Sequence, residues 1–421
     1  MFNKFSQHLD TKGCRLFFGC LIYSFLCPAN AATPFKQQKL LAHDGAPNDF
    51  FSFSVAISDD VALIASFKSD DKVMGVDVGS AYVFTLIDNA WQQQAKLVVN
   101  DAKANDTLGG NVALYGETAV LGAIGHDKNG ENSGAVYVFN RSGSTWVQQS
   151  KLMAVDGTKG DKFGQSIAVS DDIIVVGAPH DDDNGKGAGS IYVFNRTGTT
   201  WTQQAKIFAP DGKEGDLFGI SVALYDDTIL VGADLHDEKA IDAGAVYVFT
   251  RTGTQWDHQA KLMAADAGKT DIFGVRVALS GDTALISARR DDDNVMGVDA
   301  GSAYIFTRTG TTWQQQAKLT APDGAEDDRF GRGVALFGDT ALISAMHQDD
   351  KGANSGSAYI FTRTGNTWSH KASLTADDGA TADVFGWSVA LSNGHALIGA
   401  TRNDDQGKGS GSAYIFEIEP H

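Results

Sequence analysis

The feature that most constrains the fold is the pattern Tyr-x-Phe, which returns at Tyr82, Tyr137, Tyr192, Tyr247, Tyr304, Tyr359 and Tyr414. The copies are 55 residues apart, with one step of 57. Nine residues after each of the first six stands a tryptophan: Trp91, Trp146, Trp201, Trp256, Trp313 and Trp368. A period of this length marks an architecture built from repeated supersecondary units.

Each copy reads as four short strands, A to D. In the third, Phe163 to Val169 is A, Ile173 to Ala178 is B, Ser190 to Phe194 is C and Trp201 to Ile207 is D. Strands A, C and D alternate apolar and polar residues, whereas B is an unbroken apolar run suited to burial on both faces. The A–B link is a tight turn, as in Ser170-Asp171-Asp172, and the C–D link carries Gly198 where a hairpin needs positive φ. Seven such units predict an all-β fold, a seven-bladed β-propeller of four-stranded antiparallel blades. The last copy stops at strand C, while Phe35 to Leu40 resembles the D-strand text of Trp91 to Leu97. An N-terminal strand completing the last blade would close the ring and leave no free edge. A linear solenoid would need capping repeats instead.

At this point the residues resemble a known family. Phe163-Gly164 followed by Gly177-Ala178-Pro179 is similar to the FG-GAP repeat, the unit of the integrin α-subunit propeller and of bacterial surface proteins. The Phe-Gly pair recurs at Phe218, Phe273, Phe330 and Phe385, and is degenerate as Phe51-Ser52 and Leu108-Gly109. The expected role of Phe and Gly is structural, with Phe between blades and Gly permitting close backbone approach. The resemblance implies a calcium loop in the A–B hairpin. Here that hairpin is too short to hold one, so the family's usual site does not carry over.

Residues 1–31 are a different text. Lys4, Lys12 and Arg15 precede an apolar run from Leu16 to Cys27, and Ala29-Asn30-Ala31 supplies a cleavage site, the layout of a secretory signal peptide. Cleavage is expected after Ala31, with Ala32 as the rival, leaving residues 32–421 as one propeller. A lipoprotein reading of Cys20 or Cys27 is weaker, because bulky residues precede both. The three cysteines, Cys14, Cys20 and Cys27, all fall before the cut, so disulfides, thiolate catalysis and cysteine metal sites are excluded from the mature chain. The expected location is secreted, periplasmic or at the cell surface. No later stretch is apolar enough to span a membrane. A net charge of −18 argues against nucleic acid as a partner.

The acidic residues follow the repeat. Every D–A connection holds Asp-x-x-x-x-Asp, beginning Asp44/Asp49 and Asp101/Asp106, and every B–C connection holds an Asp, from Asp70 to Asp404. In an antiparallel four-stranded blade these two connections emerge at the same end, so the aspartates gather on one face. Asp, Asn and glycine carbonyls supply the hard oxygen ligands that Ca²⁺ takes. The richest candidates are Asp181, Asp182, Asp183 and Asn184 with Asp156 and Asp161, and Asp291, Asp292, Asp293 and Asn294 with Asp266 and Asp271. The competing reading is that each Asp caps a turn through its own backbone. His126, His180, His236 and His347 adjoin these loops and are expected to be exposed. The B–C loops of copies one and five share a two-residue insert, Val73-Met74-Gly75-Val76-Asp77 and Val295-Met296-Gly297-Val298-Asp299.

No nucleophile elbow, P-loop, dinucleotide fingerprint or H-E-x-x-H helix occurs. The functional expectation is therefore a non-enzymatic binding or adhesion module for an extracellular protein or glycan. Ca²⁺ is its only candidate cofactor, and it is expected to be a monomer. The alternatives are a polysaccharide hydrolase or lyase working in the central channel, which would need a carboxylate pair or histidine set unique to one blade, and a purely structural surface component.

Overall fold

The apolar runs form the second strand of each blade, and Ile173–Ala178 is buried at all six positions. The computed structural model describes residues 35–292 and 295–419. The signal-peptide reading of residues 1–31, its three cysteines, and the candidate ligands Asp293 and Asn294 lie outside the described residues.

Seven four-stranded antiparallel sheets stand in chain order, each pairing A with B, B with C and C with D. Blade 1 runs Phe51–Ser58, Val61–Ser66, Ser80–Ile87 and Ala90–Leu97. Blade 7 takes Phe385–Ser392, His395–Ala400 and Ser412–Glu417 from the end of the chain and Gln37–Leu40 from its start. In that closing pair Lys39 faces Tyr414, as Lys206 faces Tyr192 in blade 3. The closure expected from the ragged ends is thus met residue for residue. No helix among the described residues is long and apolar enough to cross a membrane.

Strand A departs from expectation in blades 3 to 5. It begins at Ser166, Ser221 and Val277, not at the phenylalanine. Gly164 adopts φ 98°, which takes the chain out of the pleat, and Phe163 instead bridges to Gly134 of the preceding blade. The matching Gly189 approaches Phe218 so closely that a Cβ would strike the Phe218 backbone. Glycine is needed there for space as well as conformation.

Apolar clusters lie between neighbouring blades. Phe163, fully buried, joins Val136, Val138 and Leu152 of blade 2 to Ile174, Val176 and Tyr192 of blade 3. Burying each such side chain contributes about 1.5–3 kcal/mol as an upper figure. Near the rim, Trp201 donates its indole N–H to Gln149 of the preceding blade at 3.0 Å. Every blade is therefore stabilised chiefly by its neighbours, and ring closure supplies the last interface.

Candidate functional site

The D–A and B–C connections leave the sheets at one end, so the repeated aspartates share a face, and three kinds of position can be told apart. The Asp that opens each B–C loop binds within its own loop. Asp70, Asp127, Asp182, Asp237, Asp292, Asp349 and Asp404 each accept a backbone N–H five to seven residues on, at 2.7–2.9 Å. The residue donating that N–H is Asp, Asn or Gly in every blade and has φ between 51° and 63°, the left-handed conformation those residues tolerate.

The second Asp of each D–A loop is also a cap. Asp49, Asp106, Asp161, Asp216, Asp271, Asp328 and Asp383 are buried, and each accepts the N–H three residues before it at 2.6–3.0 Å. Burial pushes the Asp271 carboxyl up to about 6 and raises Asp161 as well, against that hydrogen bond.

The first Asp of each D–A loop belongs to a shared network. Six of the seven accept the hydroxyl of the blade's Tyr-x-Phe tyrosine, as Asp156 does from Tyr192 at 3.0 Å. In blade 5 Tyr304 donates to Asp291 instead, at 3.1 Å. These tyrosines are at most 1% exposed, and burial drives their acidity down; Tyr82 moves to about 12. Opposite the tyrosine on strand D stands a lysine in six blades. Lys206 lies 2.8 Å from Asp156, 2.7 Å from Asp181 and 2.6 Å from Asp183. Lys318 lies 2.7 Å from Asp266 and 2.6 Å from Asp291. Burial works against the charge of Lys206, but its carboxylate hydrogen bonds outweigh that and raise its pKa far above the ordinary lysine value.

The candidate residues thus fall into two groups. Asp156, Asp181 and Asp183 converge, as do Asp266 and Asp291, while Asp161, Asp182, Asp271 and Asp292 are turned into backbone caps. Asn184 lies beside Gly212 of the next D–A loop. A calcium ion at either converging set would have to displace a lysine ammonium. The donors as arranged fit that ammonium, already bonded to two or three carboxylate oxygens.

Just before the capping Asp of each B–C loop is one buried position that differs between blades: Ser69, His126, Asp181, His236, Asp291, Gln348 and Asn403. His126 and His236 were expected in solvent and are instead 7% and 2% exposed. The strand D lysines Lys151 and Lys261 lie against them, and the Tyr247 ring also packs on His236. His126 Nε2 lies 2.7 Å from Lys151 Nζ, and burial followed by that ammonium lowers its pKa. His236 Nδ1 lies 2.9 Å from Asp216, whose hydrogen bond outweighs burial and raises it. His236, Asp211 and Glu238 bring ligand atoms within 4.8 Å of one another, yet Lys261 contacts all three, at 2.6 Å for Asp211.

Blade 6 lacks the lysine. Ser373 pairs with Tyr359 at the lysine position. Asp323, which receives the Tyr359 hydroxyl, therefore has no ammonium beside it among the described residues. A cleft lined by Asp323, Asp327, Asp328, His347, Gln348 and Asp349 opens there.

The sequence reading passed over the strand D lysines. The available signal was a lysine five residues after each of the first five tryptophans, from Trp91 and Lys96 to Trp313 and Lys318. The profile of the FG-GAP repeat matches the chain seven times, at residues 35–84, 91–139, 146–194, 201–249, 256–306, 313–361 and 368–416. Each match starts in one blade's D strand and ends in the next blade's C strand, the same offset that closes the ring. No curated protein matches the chain significantly.

Proposed function

Because the chain belongs to the FG-GAP repeat family, a fold of binding and structural modules, we propose that it is an exported binding module that engages an extracellular protein or glycan with its loop face. The observation that carries this is the pair of longest B–C loops. Their inserts raise Val73 and Val295 to 93% and 92% exposure, with Val76 and Val298 more than half exposed. Apolar side chains held this far into water mark interaction surfaces when they cluster. The aspartate caps below them fix the loops before any partner arrives, which lowers the ordering cost of binding. The opposite face offers only tight turns, where Arg196, Arg251, Arg308 and Arg363 are paired with turn aspartates. Export is supported by the signal-like layout of residues 1–31.

Arrays of extracellular-matrix proteins and of glycans, probed with wild type and with the Val73→Asp/Val295→Asp variant, test this reading. Specific spots that the variant loses at least tenfold are expected. Spots that the variant binds equally well, or none, would overturn it.

A second reading concerns Ca²⁺, and the absent lysine of blade 6 favours it there. Asp323 and Asp350, both near Tyr359, would supply carboxylate ligands, and the bound ion would stabilise the folded state. The melting temperature is expected to rise with millimolar Ca²⁺, fall back with EDTA, and cease to respond in Ser373→Lys. A flat response in wild type removes this reading.

A further inference from the structure

Seven strands A line the axis of the propeller, and here single blades depart from the repeat. Two or three consecutive residues near the start of each strand face a central cavity of about 280 Å³. They read Phe53-Ser54, Gly110-Asn111, Gln165-Ser166, Ile220-Ser221, Arg276, Arg332-Gly333 and Trp387-Ser388 from blade 1 to blade 7, each followed by a Val or Ile that also lines the cavity. Two arginines stand in this lining although the chain as a whole is strongly acidic.

Neither arginine is ion-paired, and Asp234 attracts Arg276 only from beyond ion-pairing distance. Among the described residues no carboxylate lies within ion-pairing distance of Arg276, Arg332 or the adjacent Arg289. Arg332 is only 9% exposed. Its guanidinium lies over the Trp387 ring at 4.1 Å, which uses its face and leaves its N–H edge free to donate. Arg276 spends one donor on the carbonyl of Val275 at 2.9 Å. Burial comes first in depressing the Arg332 and Arg289 guanidiniums, followed by their mutual repulsion with Arg276, so the three charges share one neighbourhood. A buried cation without an ion-pair partner is costly, and an anionic ligand would supply the missing partner.

The remaining wall indicates what else the ligand carries. Trp387 continues into an aromatic row, with Phe53 at 5.5 Å and Phe67 a further 3.8 Å on. Across the ring, Asn111 and Gln165 line the cavity, and among the described residues no protein group bonds to their side-chain amides. Free amides suit hydroxyl groups, and aromatic walls suit the apolar face of a ring. At about 280 Å³ the cavity lies just below the ~300–1,000 Å³ typical of ligand pockets, which limits it to a small ligand.

We propose that the head of the central channel binds a small acidic sugar, its carboxylate held by the Arg332 and Arg276 guanidiniums, its hydroxyls by Asn111 and Gln165, and its ring against Trp387. A bidentate guanidinium pair recognises the planar carboxylate, and the amides distinguish a polyol from a bare anion. The site is separate from the exposed valines of the loop face and stands whether or not that face binds a macromolecule.

Titration calorimetry of the full chain with D-glucuronate and D-galacturonate is the test, with D-glucose, acetate and sulfate as comparisons. Binding of at least one uronate is expected, with at least tenfold weaker affinity for glucose and for acetate. Arg276→Gln, which leaves the Arg332–Trp387 stack in place, should weaken uronate binding at least tenfold without lowering the melting temperature. Asn111→Ala should weaken uronate while leaving acetate unchanged. No heat with either uronate, or equal affinity in wild type and Arg276→Gln, overturns the site. Acetate or sulfate binding as tightly as uronate overturns the sugar and leaves an anion hole. Loss of array binding in the Val73→Asp/Val295→Asp variant with uronate binding intact would separate this site from the loop face.

Discussion

The rim of the loop face and the head of the channel handle charge in opposite ways. On the rim, carboxylates outnumber cations, and nearly every blade places a lysine between them. Lys206 bonded to Asp156, Asp181 and Asp183 is the fullest case. At the channel head the cations are in excess. Arg276, Arg289 and Arg332 have only the nearby Asp234, which does not reach ion-pairing distance and whose Oδ1 is buried with no hydrogen-bond partner. The rim is a repeated and internally satisfied design, so it reads as structure. The channel head carries its arginines and Trp387 in single blades and leaves them internally unsatisfied, and unsatisfied buried polar groups are where a ligand has most to offer.

The comparison can be broken first at Lys206. Lys206→Met leaves Asp181, 2% exposed, without its ammonium. A loss of about 3 kcal/mol is expected, the low end for removing one partner of a buried pair, because Asp156 and Asp183 can turn to water. Denaturant unfolding would measure it. With the ammonium gone the rim carboxylates are open to a metal, so millimolar Ca²⁺ should stabilise this variant by more than it stabilises wild type.

The second test is at Asp234. Burial raises its carboxyl to about 6, despite attraction from Arg276 and Arg289. The folded pKa is above the unfolded one, so this group's favourable contribution is complete below about pH 4 and is lost as pH rises through 6. At neutral pH the ionised carboxylate therefore costs stability. Asp234→Asn should stabilise the protein by on the order of 2 kcal/mol at pH 7.5 and by almost nothing at pH 4. Equal effects at both pH values would show that packing, not charge, governs this position.

The smallest effect separates two histidines at one repeat position. His236 is raised by Asp216, so its contribution is present below the ordinary histidine pKa and lost as pH climbs through its folded value. His126 is lowered by burial and Lys151, so stability is lost as pH falls through the ordinary value. His236→Gln should therefore cost more at pH 5.5 than at pH 8, and His126→Gln the reverse, each by less than about 1 kcal/mol. Parallel pH profiles would contradict the assigned partners.

Much of this was legible from the repeat alone. The Tyr-x-Phe period gives seven blades, strand B's unbroken apolar run gives burial on both faces, and Phe35 to Leu40 gives closure, because each depends on local pattern and on copies agreeing with one another. The turn chemistry of the loop aspartates was legible too. Asp182 needs only Gly187 five residues later in its own loop, and that spacing is in the text. The shared face of the acids also followed from strand order.

Which carboxylates converge, and on what, was not legible. Lys206 and Asp156 are 50 residues apart, and Asp181 meets Lys206 only because strands C and D pair in a particular register. The depth of His126 and His236 depends on the strand D lysines that lie against them, which no local pattern encodes. Arg276, Arg332 and Trp387 look like ordinary variation in the alternating text of strand A. They come from three different repeats, and only closing the ring brings the starts of seven A strands around one axis. A repeat read along the chain is a record of sameness, while the channel is made by comparing across it, where the differences collect.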